Sequence, residues 1–184
     1  MRGTEYLIPD TDVISTPTLV NINLSDIMKI RVGPKCSAII TTNGDMYAAG
    51  SNRGNRLLCK QSDAFFKKVV PPDTNRNAVD GFAVADVCFG PFHSVLLKKD
   101  GRILNIVQGS NANELKGITS SVVTIDTTCN REKCNFGVAM TKNGHVFKWK
   151  IGEDKASRVT PRNGSPTNVA VSKEFMLLTF NDIN

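Results

Sequence analysis

Long apolar runs are missing from this sequence of 184 residues. No segment approaches the roughly 18 apolar residues of a membrane-spanning helix, and no continuous apolar stretch follows Met1-Arg2-Gly3-Thr4-Glu5. We therefore expect neither a membrane span nor a secretory signal, and a location in the cytoplasm or the nucleus. Low-complexity tracts and long blocks of like charge are also missing, which excludes a largely disordered chain.

Histidine is scarce, and the two copies, His93 and His145, do not accompany a nucleophile and an acid at a recognisable motif spacing. The pattern Gly-x-x-x-x-Gly-Lys-Ser/Thr of phosphate loops does not occur, and no Gly-x-Gly-x-x-Gly follows a strand and opens a helix. The sequence thus predicts no catalytic residues, no cofactor and a protein that is not an enzyme.

The five cysteines are an odd number and favour reduced thiols over a disulfide framework. Cys129 and Cys134 could form half of a zinc site, but zinc needs four ligands and no second Cys or His pair lies at comparable spacing. We expect no metal, and we interpret the charged loop between these two cysteines as an insertion suited to binding.

Basic residues exceed acidic ones, with 23 Lys and Arg against 17 Asp and Glu and a net charge of +6. Such an excess favours acidic partners or a phosphate backbone. The excess is scattered in doublets such as Lys67-Lys68, Lys98-Lys99 and the lysines on either side of Trp149. Solvated surface is therefore the main interpretation, and nucleic acid is a weaker candidate partner than protein.

One unit recurs along the chain: an apolar run, two polar residues, a turn dipeptide and a second apolar run. Complete copies span Cys36–Gly50, His93–Leu104 and Phe136–Trp149, and a fourth begins at Phe175 and stops near Asp182. A further β-prone stretch precedes each copy, at 28–32, 83–89, 122–127 and 169–171. Each unit therefore offers three or four short strands.

The dipeptide between the two runs is Asn-Gly or Asp-Gly in every complete copy, and these residues tolerate positive φ. A type I′ turn requires positive φ at both of its central residues, and alternating apolar runs flank each dipeptide. The sequence therefore predicts three tight hairpins with type I′ turns, at Asn43-Gly44, Asp100-Gly101 and Asn143-Gly144.

The spacing of the units indicates the architecture. Gly44, Gly101, Gly144 and Asp182 lie 57, 43 and 38 positions apart, and four-stranded propeller blades repeat about every 40 to 50 residues. We predict an all-β, propeller-like domain over 1–184, with units at 16–76, 77–118 and 119–163 and a partial unit at 164–184. Only Ser62–Val69 could instead be a short helix, and it could equally be a strand edge.

Several of these residues resemble the repeat of the regulator of chromosome condensation family. That repeat has a valine-rich strand, Gly, two residues, His-Ser, an apolar strand, a Gly turn, an aromatic strand, Trp-Gly, Asn and Gly-Gln-Leu. The second copy matches it over Val84–Leu97, and the first matches from Gly33 with Cys36 in place of His. The third copy departs, with Trp149 followed by Lys150 where the pattern has Gly.

The resemblance implies a propeller, commonly of seven blades, whose closure protects the strand edges. About three blades and a partial one do not close such a ring. Either the sequence is part of a larger propeller, or it is an open arc whose exposed faces are covered by a protein partner, which would complete the ring, or by the chain itself. The resemblance also implies that His93 is a structural residue of the blade turn, and Trp149 is expected to be a core aromatic.

The resemblance favours a non-enzymatic protein-interaction scaffold, and the alternative is a guanine nucleotide exchange factor for a small Ran-type GTPase. Arginine in a turn can pair with two oxygens of an acidic group. The candidate protein-binding residues are therefore basic loop residues, namely Arg53, Arg56, Arg131 and Lys133.

Overall fold

A computed structural model describes residues 24–52, 57, 63–69, 82–107, 112–128, 135–161, 164–172 and 176–180. Within these ranges the regular structure consists of fourteen β-strands in four antiparallel sheets, without a helix. Consequently, none of the described segments is a helix long and apolar enough to cross a membrane. The prediction of an all-β fold is confirmed.

The first sheet contains four strands in chain order. They are β1 (Ile27–Gly33), β2 (Cys36–Thr41), β3 (Met46–Gly50) and β4 (Asp63–Lys68). The segment that the sequence left open between a helix and a strand edge is thus an edge strand, paired with β3 through Tyr47 opposite Lys68.

The second and third sheets repeat this order. Their strands are β5 (Val84–Phe89), β6 (His93–Lys98), β7 (Ile103–Val107), β8 (Asn113–Glu114), β9 (Val122–Thr127), β10 (Phe136–Thr141), β11 (Val146–Lys150) and β12 (Ser157–Val159). The fourth sheet pairs β13 (Asn168–Val171) with β14 (Met176–Thr179) in the described part of the chain. The exact boundaries of the repeat units stay predictions.

The three hairpins form at the predicted places, between β2 and β3, β6 and β7, and β10 and β11. Their turn type differs from the prediction, because Gly44, Gly101 and Gly144 have positive φ whereas the Asn or Asp before each of them does not. In the first hairpin the Thr41 N–H donates to the Asp45 carbonyl and the Gly44 N–H donates to the Thr41 carbonyl. The turn is therefore a three-residue loop that ends in a left-handed glycine, and not type I′.

The same two hydrogen bonds recur in the other hairpins. The Lys98 N–H donates to the Arg102 carbonyl, and the Thr141 N–H donates to the His145 carbonyl, with nitrogen-to-oxygen distances of 2.8–2.9 Å. The Thr141 hydroxyl also accepts the His145 N–H at 3.1 Å, and Thr41 does the same for Asp45. The backbone hydrogen bonds close the three-residue loop in each of these three hairpins.

The sheets pack face to face in chain order, because alternate side chains of each strand point to opposite faces. In β6, Leu96 packs toward the first sheet while Val95 and Leu97 pack toward the third. Val138 and Met140 of β10 then pack against Val169 in the fourth sheet. Three apolar cores therefore lie between successive sheets, and the described sheets form an unclosed part of a propeller.

Candidate protein-interaction surface

A buried carboxylate joins the first and second sheets. Asp86 of β5 is almost fully buried, and its oxygens accept hydrogen bonds from Lys29 Nζ at 2.6 Å and from Arg31 Nε and Nη2 at 2.7 Å. The Val87 N–H donates to the same carboxylate at 2.8 Å. Burial opposes ionisation, but the hydrogen bonds from Arg31 and Lys29 outweigh it and hold the pKa of Asp86 below its usual range.

His93 joins the second and third sheets. Its ring is buried, and Nε2 lies 2.8 Å from the Thr127 hydroxyl of β9. The ring packs directly on Gly90, where a Cβ would lie 1.9 Å from its Cε1 atom. The structure thus places His93 inside the blade turn, as the repeat resemblance implies.

Trp149 makes a second bond between these two sheets. The indole is buried, and its N–H donates to Asn105 Oδ1 at 2.9 Å. The Asn105 amide in turn donates to the Glu153 carbonyl at 3.2 Å. The prediction that Trp149 is a core aromatic is confirmed.

Asp126 connects the third and fourth sheets. One carboxylate oxygen accepts the Val171 N–H at 2.8 Å, and the other accepts the Thr127 N–H at 2.8 Å. Together with the buried side chains of Asp86, His93 and Trp149, this half-buried carboxylate shows how polar groups are used inside the stack of sheets. They hydrogen-bond between neighbouring sheets and fix how the sheets stack.

Two cysteines lie in the described part of the chain, and both are free thiols. Cys36 is buried, and the Cys88 thiol donates to the Ile125 carbonyl at 3.2 Å. Burial raises the pKa of Cys88 to about 12, with a further contribution from the nearby carboxylate of Asp86. Cys129 and Cys134, the pair considered for zinc, lie outside the described residues.

The four predicted binding residues also lie outside the described residues, but the positions where their segments begin and end are described. Gly50 ends β3 opposite Cys36, beside the turn between β1 and β2. Segment 129–134 connects β9 to β10. This connection holds the same place in the third sheet as the turn between β1 and β2 in the first sheet. Both segments therefore leave their sheets at the same end, which we call the loop end.

Side-chain hydrogen bonds close the base of each segment. Asn52 Oδ1 accepts the Leu57 N–H at 2.8 Å, and Leu57 is buried in the core between the first two sheets. At the other segment, the Thr128 hydroxyl accepts the Phe136 N–H at 3.0 Å and donates to Asn135 Oδ1 at 3.1 Å. The residues on both sides of the predicted binding positions are thus held by the sheets.

A cavity of about 230 Å³ lies at the opposite end, beside the hairpin of the second sheet. Asp100, Arg102 and Glu114 line it, and Arg102 pairs with Asp100 at 2.7 Å and with Glu114 at 3.2 Å. The hydrogen bonds from Arg102 hold the pKa of Asp100 well below its usual range. The sequence pattern did not predict this cluster of Asp100, Arg102 and Glu114, although an Asp and an Arg on either side of a turn glycine indicate a local ion pair.

The successive four-stranded sheets with hairpin loops at one end define a partial β-propeller. Comparison with solved structures shows which propellers it resembles. Human WBSCR16 matches with a TM-score of 0.63 at 16% identity, over 83% of this chain and 44% of that one. Prp20p of Saccharomyces cerevisiae, a structure described with its binding to Gsp1p and histones, matches with a TM-score of 0.61 at 13% identity, over 87% and 45%.

Prp20 is yeast RCC1, and the chain therefore has the RCC1-like repeat fold that its sequence resembles. The computationally designed protein Ika8 matches with a TM-score of 0.51 at 11% identity, over 84% of this chain and 42% of that one. No protein-family model and no curated protein matches the sequence. The chain spans less than half the length of these three solved structures.

Proposed function

We propose that this chain is a non-enzymatic protein-interaction module that binds an acidic surface of a protein partner at its loop end. The observation that carries the proposal is the pair of closed loop bases, Asn52 with Leu57 and Thr128 with Phe136. Between these bases lie the basic positions Arg53, Arg56, Arg131 and Lys133.

The use of the polar groups between the sheets supports a scaffold. Asp86, His93 and Asp126 bond across sheet boundaries, so their side chains serve the stacking of the sheets. A rigid sheet stack that presents variable loops is a common arrangement for binding proteins. Arginine in such loops makes bidentate, charge-assisted hydrogen bonds to carboxylates.

Charge reversal at the loop end tests the proposal. Two double variants reverse the charge of the loop residues: one carries Arg53→Glu and Arg56→Glu, and the other carries Arg131→Glu and Lys133→Glu. The control double variant carries Lys116→Glu and Lys142→Glu, which make the same change in charge at exposed positions elsewhere. Proteins retained from a cell extract by immobilised protein are quantified by mass spectrometry. We expect the unmodified chain and the control variant to retain a set of acidic proteins, and we expect the loop variants to lose these proteins.

The contrary result is equally clear. If the control variant loses the same proteins as the loop variants, the binding depends on total charge alone and the loop end is not the site. If no retained protein changes with any variant, the basic loop residues have no part in binding.

The alternative function is nucleotide exchange on a small Ran-type GTPase. The fold match to Prp20p favours it, because the structure of that protein is described with its binding to Gsp1p. The reaction would require no covalent step by this chain, since exchange proceeds by displacing the nucleotide. Gsp1p loaded with a fluorescent guanine nucleotide provides the test: accelerated release supports the alternative, and an unchanged rate of release removes it.

A further inference from the structure

The three hairpin loops share the same closing hydrogen bonds but differ in the residue before the glycine. Asn43 and Asn143 hold this position in the first and third loops, and Asp100 holds it in the second. Both asparagines are exposed, and neither side-chain amide hydrogen-bonds to a residue in the described part of the chain. Each of these amides is therefore accessible beside the backbone nitrogen of a glycine.

An exposed asparagine that precedes glycine is open to attack by its own backbone. The glycine nitrogen bonds to the side-chain carbon Cγ, the bond from Cγ to the amide nitrogen breaks, and that nitrogen leaves as ammonia with the proton of the glycine N–H. Water then opens the cyclic imide at one carbonyl to give aspartate or at the other to give isoaspartate. Glycine favours ring closure because it has no Cβ to obstruct the ring and accepts many backbone conformations.

The second sheet holds the first loop at the carbonyl of its glycine. The Gly44 carbonyl accepts the Val84 N–H at 2.8 Å. Gly44 also packs closely on Ala83, since a Cβ at the glycine would lie 2.8 Å from the Ala83 Cβ. Ring closure requires the backbone of Asn43 and Gly44 to rotate, and the hydrogen bond from Val84 opposes that rotation.

The third loop has an equivalent neighbour but lacks the equivalent hydrogen bond. Gly144 packs on Ser165, where a Cβ at the glycine would again lie 2.8 Å from the serine Cβ. Ser165 and Pro166 thus hold the places that Ala83 and Val84 hold beside the first loop. Proline has no N–H, so Pro166 has no donor for the Gly144 carbonyl.

We propose that Asn143 is a site of spontaneous deamidation in the folded protein and that Asn43, in the equivalent loop, is protected. The glycine N–H donates to the carbonyl of Thr41 or Thr141 at 2.9 Å, so this bond slows the reaction in both loops. The loops differ in the hydrogen bond from Val84, and one hydrogen bond corresponds to a difference in rate of about threefold to tenfold.

The second loop shows that the hairpin accommodates a carboxylate at this position. The Asp100 carboxylate accepts the Arg102 N–H at 3.0 Å and pairs with the Arg102 guanidinium at 2.7 Å. At Asn143 the aspartate product adds a negative charge and keeps the length of the backbone, whereas isoaspartate adds a methylene to the three-residue loop. The hairpin loops lie opposite the loop end, so this proposal does not depend on what binds there.

Peptide mapping tests the proposal. The folded protein is incubated in mildly alkaline buffer and digested in mild acid, and tandem mass spectrometry quantifies deamidation at each asparagine. We expect Asn143 to react about threefold to tenfold faster than Asn43. In concentrated urea the two asparagines should react at similar rates, because glycine follows both and the fold protects neither. Asn163, which also precedes glycine but lies outside the described residues, is quantified separately.

Pro166→Val is the decisive variant, because it supplies the N–H that valine provides beside the first loop. It should slow deamidation at Asn143 by about threefold to tenfold. The rate at Asn43 in the same protein should not change, and it serves as the internal control. Circular dichroism and thermal unfolding establish that the variant is folded, and Pro166→Ala replaces it if it is not.

Three results would overturn the proposal. The first is a folded protein in which Asn43 reacts as fast as Asn143. The second is a folded protein in which Asn143 stays unmodified while both asparagines react in urea. The third is an unchanged rate at Asn143 in the folded Pro166 variant, which would mean that the missing N–H does not govern the reaction.

Discussion

The carboxylate of Asp86 illustrates how a single residue fixes the relation between two sheets. It is buried, and it receives hydrogen bonds from two cations that extend from the neighbouring sheet. Removing one member of a buried charged group leaves its partners without compensation, which is costly, whereas an exposed ion pair contributes little. Lys29 and Arg31 are partly exposed, so water recovers part of that cost.

We therefore predict that Asp86→Asn lowers the free energy of unfolding by about 1–3 kcal/mol at neutral pH. Asp45→Asn is the matched control, because the same change removes the ion pair of Asp45 with Lys68, whose side chains are 41% and 54% exposed, and it should cost less than about 1 kcal/mol. Urea denaturation of the three proteins measures both values. Equal losses for the two variants would contradict the role of burial.

The pH dependence of this difference has a defined sign. Because the pKa of Asp86 is lowered in the folded protein, the carboxylate stabilises the fold at any pH above the pKa of about 4 that an aspartate has in the unfolded chain. That stabilisation is lost as the pH falls through the lower, folded value. The difference in the free energy of unfolding between the unmodified protein and Asp86→Asn should therefore be constant from about pH 5 to about pH 7 and should become smaller in stronger acid.

The Cys88 thiol should be unreactive in the folded protein. With a pKa of about 12, about one thiol in ten thousand is ionised at pH 8, and the thiolate is the nucleophile. We expect iodoacetamide to leave Cys88 unmodified in the native protein and to modify it fully in denaturant. Mass spectrometry of the peptide that contains Cys88 gives the result, and native labelling at the rate of a free thiol would contradict the raised pKa of this residue.

At the scale of elements, the hairpins were predictable and their turn type was not. Asn-Gly between apolar runs indicates a hairpin because glycine accepts positive φ at low cost. The same dipeptide serves a two-residue type I′ turn or the end of a three-residue loop, and the choice depends on the register between the strands. Here the pairing of Thr41 with Asp45 fixes the longer loop, and both residues look unremarkable in the sequence.

This difference in turn type has a measurable consequence. In the observed loop only the glycine has positive φ, so Asn143→Ala should change the free energy of unfolding by less than about 0.5 kcal/mol. Gly144→Ala should cost about 1–3 kcal/mol, because alanine is strained at a φ of 72° and its Cβ would lie 2.8 Å from the Ser165 Cβ. A cost above about 1 kcal/mol for Asn143→Ala would favour the type I′ turn.

Some residues that connect the sheets could be predicted from the sequence, and others could not. Trp149 was predictable as a core residue because an aromatic in an alternating strand points inward. The partner of Asp86 was not predictable, since Arg31 lies 55 positions away and the contact depends on how two sheets stack. Arg53, Arg56, Arg131 and Lys133 stay predictions, because they rest on residue type and loop position alone.

At the scale of the whole molecule, stability depends on contacts between sheets as much as on pairing within them. The central strands β6 and β10 are covered on both faces, whereas β13 and β14 present one face to the third sheet and expose residues on the other. Protection of backbone amides from hydrogen exchange should therefore be greatest in the second and third sheets and smallest in the fourth.

The bond between His93 and Thr127 permits a test of whether these two sheets unfold together. Thr127→Val keeps the shape of the side chain and removes the hydroxyl that lies 2.8 Å from His93 Nε2, which should cost about 1–2 kcal/mol. If the two sheets form one cooperative unit, protection of amides in Val95–Leu97 and Val138–Met140 should fall by the same factor, as measured by native-state hydrogen exchange. Thr179→Val is the control, because that hydroxyl is exposed in the fourth sheet and its loss should leave both segments unchanged. Faster exchange in the third sheet alone would mean that each sheet opens separately and that the inter-sheet hydrogen bonds do not couple them.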